Sequence, residues 1–402
     1  MPGPLDGVRI IDFSQVVAGP FAATFLADQG ADIIKVEPVT GTGDMTRGLP
    51  SYVKNGFPAL MINNNRGKRC IALDLTTEEG RSIGLELCEG ADVVLQNFRP
   101  GAMGRLGLDY DSVAAVNPKI IYCSISGFGP DGPYSDRPVL DPVIQGLTGI
   151  VDRQVNPDIP FPDLVRNLIA DKSSAYTAAQ AITAALFVRE RTGEGQNIEV
   201  PMLDSTMYFF WPDGMMDHTM LDEDVSPGFL LASVYRLTDC ADGKIVYFVA
   251  NDPMRIGLFD ALGHPEWGED PRFSSMAAVS QGDNFEQLGA MVAEAFSQLT
   301  VEHALARLME SQVPCGPILT PEQAFEDPQV IHNETVKIWE HPKAGKVRSA
   351  RPGARFSKTP AALAEQAGAR GEHTEEILLE LGRNAEQIAA LEAEGHVGTA
   401  DG

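Results

Sequence analysis

Apolar positions in the first third of the chain fall into short unbroken runs, separated by glycine turns and by Ala-rich stretches of helical period. Residues 8–13 (VRIIDF), behind Gly7, predict a first buried strand. Residues 16–20 (VVAGP) lead into an amphipathic helix over 21–29, closed by Gly30, and 31–37 (ADIIKVE) predict the next strand. This β-α-β order with short turns requires a parallel sheet with helices on its faces. Thr76-Thr77-Glu78-Glu79 is a capping signature with acids in the first turn, and it opens a helix through Cys88. Residues 91–95 form a further strand that ends in the loop 96–101 (QNFRPG). Ligands of open α/β sheets bind beyond the carboxyl ends of the strands, where this loop lies.

Further along, 168–191 reads LIADKSSAYTAAQAITAALFVRER. A small-residue run after Asp171 turns apolar at Ile182, Leu186 and Phe187, the spacing of a helix with one buried face. Asp171 stands where an N-cap would, and two readings stay open. It caps the helix, or it is a reactive carboxylate whose small neighbours let a bulky acyl group come close. A strand over 197–200 and a helix from about 203 follow. The Met/aromatic stripe from Met207 to Met220 reads first as core and second as acyl-pocket lining. Runs 234–237 and 244–249 flank Asp242-Gly243, which predicts an antiparallel hairpin and a change of architecture. The helices expected after it cover 285–297 and 301–311, the second capped by Thr300. The division expected is a large Rossmann-like α/β parallel-sheet domain over 1–200, a linker helix over 201–224, and a smaller α+β domain over 225–319. A linker and C-terminal segment over 320–402, with an acidic helical tail at 372–394, returns to the large domain.

Composition narrows the function classes. With 44% hydrophobic and 22% charged residues the chain is ordinary globular protein. A formal charge of −25 argues against a nucleic-acid or anionic-membrane surface, though a pocket with a few local cations can still hold an anionic ligand. Arg66, Lys68 and Arg69 stand out in so acidic a chain, as a solvated turn or a phosphate-binding corner. Five scattered cysteines form no C-x-x-C pair, so neither a disulfide framework nor a zinc site is suggested, and a reducing cytoplasmic compartment is expected. No G-x-G-x-x-G and no Walker loop occurs, so no nucleotide cofactor is supported.

The motifs carry a resemblance. PLDGVRIIDF, AGP, GADIIKVEP, GDMTRG, NRGKR, LDLTTEEG, NFRPG and GLDY occur in order, then 120–133 (IIYCSISGFGPDGP), 189–196 (RERTGEGQ) and 313–318 (VPCGPI). Over nearly the whole chain this series is similar to the class III CoA-transferases, the CaiB/BaiF family. The resemblance implies that Asp171 is a covalent nucleophile exchanging CoA between an acyl-CoA and a free carboxylic acid. Neither metal nor ATP is then needed, because the thioester bond energy is retained. It also implies that Val17 and Ala18 line the CoA thiol arm through their backbone, and that Leu73, Asn97, Phe98, Arg99 and Arg105 contact CoA, with Arg105 as a phosphate partner. Asp141 is implied to orient Asp171 or the incoming acid, or to be a turn residue before Pro142. An interlocked homodimeric ring is a property of the family and of nothing in the composition.

The chain departs from two branches of that family. The formate/oxalate branch has glutamine, arginine and an aromatic where this chain has Val17, Val39 and Leu49, and a glycine run where 226–231 (SPGFLL) is apolar. A larger or more apolar acid than oxalate is therefore implied. The racemase branch places a histidine base where this chain has Leu140, before Asp141. All seven histidines, from His218 on, lie beyond Asp171, which favours a transferase. A non-catalytic acyl-CoA-binding protein is the remaining alternative.

Overall fold

Strands buried on both faces are mainly apolar, and in the first-third runs Ile10, Ile11, Ile33, Ile34, Val93 and Val94 are all buried, while Asp12, Lys35, Glu37 and Lys68 are buried charges on the same strands. In the computed structural model, which describes residues 2–154, 162–226, 228 and 230–400, they build one seven-stranded sheet. Its order is Val397–Gly398, Lys68–Leu73, Asp32–Pro38, Arg9–Asp12, Val93–Gln96, Ile121–Ser126, Gln196–Pro201. Every neighbouring pair is parallel except the first, where the C-terminal strand adds antiparallel with Val397 opposite Leu73. One face packs on helices Ala18–Asp28 and Ile169–Thr192 through Ala22, Leu26, Ala175 and Ile182. The other packs on Glu78–Glu89 and Thr374–Glu380 through Ile83, Leu87, Ile377 and Leu378. From Arg9–Asp12 the chain builds outward to one side, then returns to place Val93–Gln96 on the other. The crevice at the carboxyl ends of these two neighbours is a topological switch point, where ligands enter such sheets.

Packing divides the chain into two compact units, residues 1–228 with 332–402, and residues 229–331. The second unit has a three-stranded antiparallel sheet, Cys315–Pro317, Gly243–Tyr247 and Thr238–Cys240. Its core is Phe259, Phe273, Phe296 and Leu308, and its helices include Asp252–Leu262, Asn284–Ser297 and Val301–Glu310.

Several expected boundaries move, each for a local reason. The first helix begins at Ala18, three residues earlier than predicted; Pro20 sits in its first turn, where its missing N–H would have had no helical partner. The hairpin forms, but its first arm is Thr238–Cys240, and Gly243 pairs with Cys240. Tyr235 and Leu237 are exposed, so the run 234–237 has no core face to bury. The Asp242 carboxylate accepts the Val301 N–H at 2.7 Å and ties the turn to the next helix. The tail is two helices, Thr374–Glu380 and Ala385–Ala393, broken at Gly382 with φ +86°. No helix among the described residues is long and apolar enough to cross a membrane.

Candidate active site

Asp171 is not the cap of its helix. The N-cap of Ile169–Thr192 is Leu168, which makes no side-chain capping bond, and Asp171 is the third helical residue. The Asp171 N–H instead donates to Oδ2 of Asp141 at 2.9 Å, so a second carboxylate from another helix takes over the capping. Asp141 is itself buried and is the first residue of helix Asp141–Leu147, followed by Pro142. Among the described residues no hydrogen bond engages the Asp171 side chain. Burial, and then the charge of Asp141, push its carboxyl up to about 7. A carboxylate this poorly solvated and left unpaired is a better nucleophile than a capping one.

The small residues after it serve packing. Ser173, Ser174, Ala175, Ala178 and Ala179 are buried, and this helix lies against Ala18–Asp28 and Met202–Gly214. Ser173 Oγ meets Thr206 Oγ1 at 3.2 Å, and Tyr176 stacks with Phe25 at 4.4 Å between ring centres. They therefore allow close approach of the neighbouring helices.

Asp171 lines a cleft of about 560 Å³ at the carboxyl ends of the central strands. Gln15, Val16 and Ala18 form one wall, Asn97, Phe98, Arg99 and Pro100 another, and Arg137, Val139, Leu140, Val143 and Met202 close it. The first two walls are locked together: Gln15 N–H donates to Asn97 Oδ1 at 2.8 Å and Asn97 Nδ2 donates to the Gln15 carbonyl at 2.7 Å. Val16 has φ +71°, a left-handed conformation that costs a β-branched residue about 1–3 kcal/mol. Asp44 Oδ1 holds it by accepting the Val16 N–H at 3.3 Å.

A buried charge network lies beneath this turn. Lys35 Nζ donates to the Ser14 carbonyl and to Asp44 Oδ2, both at 2.8 Å. Lys68 Nζ donates to Asp12 Oδ2 at 2.8 Å, and to the Pro20 carbonyl and Asn65 Oδ1 at 2.9 Å. Burial alone would raise Asp12, but Lys68 and Lys35 outweigh it and hold its carboxyl below the usual range. Burial draws Lys68 down to about 8 against the pull of Asp12, so near neutrality it remains the ammonium that three acceptors require.

Of the two readings left open for 66–69, a solvated turn or a phosphate-binding corner, that network leaves no cation free for the corner. Arg66 is buried in a two-pronged pair with Asp28, Lys68 is fully enclosed, and Arg69 is spent on Asp32, Glu376 and Glu380. Arg47 is likewise a structural partner, of Glu37 at 2.6 Å. Of the arginines at or beside the cleft, Arg99 and Arg137 line it and exposed Arg105 lies on the short helix after it. None of these three side chains makes an ion pair among the described residues; Arg137 stacks on Tyr134 at 3.6 Å.

Of the residues expected to act, Ala18, Asn97, Phe98, Arg99 and Asp171 come together around the cleft. Val17 is buried directly before Ala18, Asp141 stands behind Asp171, and Leu73 lies in the sheet core. The apolar segment 226–231 includes Pro227 and Phe229, which lie outside the described residues. The Met/aromatic stripe is not core: Phe210 is buried, but Tyr208, Phe209, Trp211, Met216 and Met220 are exposed, and Met202, outside the stripe, lines the cleft. Sequence reading missed Arg137, the Ile125-Ser126-Gly127 strand end and Gln145. The strand-end rule that picked out 96–101 applies equally to 125–127.

The chain matches CoA-transferase family III over residues 5–374. It belongs to that family. It is 35% identical over 339 residues to an acetyl-CoA:oxalate CoA-transferase of Acetobacter aceti, covering 81% of this chain and 84% of that one. To a succinate–glutarate CoA-transferase of Agrobacterium fabrum it is 33% identical, covering 94% and 96% of the two chains. A crystal structure of a CaiB/BaiF family protein from Brucella suis superposes with TM-score 0.80 at 34% identity, covering 95% of this chain and all of that one.

The enzyme is thus a CoA-transferase, and burial and Asp141 push the carboxyl of Asp171 in its cleft up to about 7. Because Asp141 raises the Asp171 carboxyl, Asp141→Asn is expected to move the acid limb of kcat/KM for acyl-CoA below about 7. A pH–rate profile checks this, and an unmoved limb means that the Asp141 charge does not act on Asp171.

Proposed function

We propose that this transferase moves CoA between an acyl-CoA and a free carboxylate through covalent intermediates on Asp171. The observation that carries the reading is the unpaired Asp171 carboxylate in the cleft, raised to about 7 by burial and by Asp141. The carboxylate attacks the thioester carbonyl, the C–S bond breaks, and a mixed anhydride and CoA thiolate result. The thiolate attacks the aspartyl carbonyl, which releases the donor acid and leaves an aspartyl-CoA thioester. The acceptor carboxylate attacks the aspartyl carbonyl of that thioester, the C–S bond breaks to give a second mixed anhydride and CoA thiolate, and the thiolate attacks the acceptor acyl carbonyl, which forms the new acyl-CoA and frees Asp171. Each step is a reversible acyl transfer, one thioester is exchanged for another overall, and the protein's contribution is positioning and charge. Asp141 orients the nucleophile through its backbone N–H. Arg99, Arg105 and Arg137 remain unspent for the phosphates of CoA.

Leu140 in the cleft wall and the absence of histidine from its lining among the described residues support transfer over α-proton exchange, which needs a second base across the substrate. The apolar side chains Val139, Leu140, Val143 and Met202 support an acyl group bulkier than formyl or oxalyl. Exposed aromatics on two neighbouring helices, Phe187, Tyr208, Phe209 and Trp211, support burial of that face in a homodimer. Incubation with an acyl-CoA and no acceptor is expected to add the mass of the acyl group or of CoA to Asp171. Hydroxylamine or borohydride trapping followed by peptide mass spectrometry reads it out. An unmodified Asp171 under turnover conditions, or deuterium entering the α-carbon without transfer, would sink the proposal.

A further inference from the structure

We infer that Gln145 is a positioning residue for the nucleophile: it fixes the Asp141 carboxylate in the orientation that receives the Asp171 amide. The inference rests on the reading of Asp171 as nucleophile and extends it to a side chain that neither lines the cleft nor touches Asp171.

Gln145 lies one turn after Asp141 on helix Asp141–Leu147 and is 2% exposed. Its Nε2 donates to Asp141 Oδ1 at 2.5 Å and also reaches the carbonyls of Val165 at 3.2 Å and Asn167 at 3.3 Å. Its Oε1 accepts the Val165 N–H at 2.9 Å. The amide can face only one way, because the Val165 N–H must meet an oxygen and the Asp141 carboxylate must meet the NH₂. One buried side chain therefore joins the helix that carries Asp141 to the backbone that leads into the nucleophile helix. With Oδ1 of Asp141 occupied, Oδ2 is left for the Asp171 N–H at 2.9 Å.

The donor's neutrality is part of the design. A lysine or arginine here would cancel the Asp141 charge that faces Asp171, whereas an amide orients the carboxylate and leaves its charge in place. The other charged groups on the helices packed around this helix include Lys172, Asp152, Arg153, Asp204 and Asp213. Lys172 is engaged by Asn167 and Arg153 by Asp217. After burial, the Asp141 charge pushes the Asp171 carboxyl up.

The test compares Gln145→Leu, Gln145→Glu and Asp171→Ala in the full-length enzyme, with kcat and KM for acyl-CoA followed across the neutral pH range. Gln145→Leu removes both polar links and is expected to lower kcat on the order of tenfold to a hundredfold, with KM for acyl-CoA little changed. Gln145→Glu replaces the amide donor by a carboxyl that must share a proton with Asp141. It is expected to turn over like wild type while that proton is held and to lose kcat as it leaves, which adds an alkaline limb that wild type lacks. A merely structural role for Gln145 would not create that limb. If Gln145→Leu does not fold, the pH profile of Gln145→Glu decides alone. A wild-type profile for Gln145→Glu, or an unchanged kcat for Gln145→Leu, overturns the inference when Asp171→Ala is inactive. An active Asp171→Ala overturns the nucleophile reading, and this inference with it.

Discussion

On the proposed covalent route, Asp171→Ala is expected to lower CoA transfer at least about 10³-fold, because no other carboxylate among the described residues lines the cleft. The same substitution is expected to stabilise the fold above neutrality. An unfolded aspartate ionises near 3.8, whereas burial and Asp141 raise the folded carboxyl to about 7. Between those values the folded state holds a proton that the unfolded state has lost. Stability therefore falls as pH rises through this window, and the full cost is present above about 7. Removing the group recovers at most about 4 kcal/mol there, from 1.4 kcal/mol per unit over some three units, and nothing below the unfolded value. Thermal melts of the two proteins at acid and alkaline pH, beside an exchange assay, check both halves. An inactive variant that melts lower than wild type above neutrality would mean that Asp171 holds the fold, and would remove the argument for a strained nucleophile.

The second large effect is on stability. Asp12→Asn keeps an oxygen for the Ser14 N–H but leaves the fully enclosed Lys68 ammonium without its counter-charge. Breaking one side of such a pair costs about 3–5 kcal/mol, and a urea titration against wild type reads it directly. The paired apolar replacement Asp12→Leu with Lys68→Met is expected to recover much of that loss, since neither charge then remains buried. Transfer activity is not expected to return with it. Lys68 also holds the Pro20 carbonyl, and Asp12 holds Ser14, so the turn that carries Val16 to the cleft loses two anchors at once. Full activity in the double variant would show that the turn keeps its shape without the network.

The fate of the basic residues shows where reading the sequence stops. Arg66, Lys68 and Arg69 stand together in the chain and look alike, yet each is consumed by an acid from a different part of it: Asp28, Asp12, and Asp32 with Glu376 and Glu380. Arg137, which has no motif of its own, is brought to the cleft wall. Whether a cation is free for a ligand depends on which carboxylates the fold carries to it, and those lie up to several hundred residues away in sequence. Asp171 poses the same problem. Its helix and its small-residue face were legible, but it stood at the cap position only by local pattern. Asp141, 30 residues earlier, supplies the cap instead and leaves the Asp171 carboxylate unpaired.

Periodicity, turn chemistry and buried apolar runs act over a few residues, and they were enough to determine the parallel sheet, the order of its first elements, the change to an antiparallel unit and the place of the small-residue helix. The motif series was enough for the family. The C-terminal strand beside Leu73, the left-handed Val16 turn over its charge network, and the two-carboxylate arrangement held by Gln145 were settled only by tertiary structure. Each of these is a contact between distant segments, and its free energy depends on burial and on what lies opposite, neither of which a local stretch of chain contains.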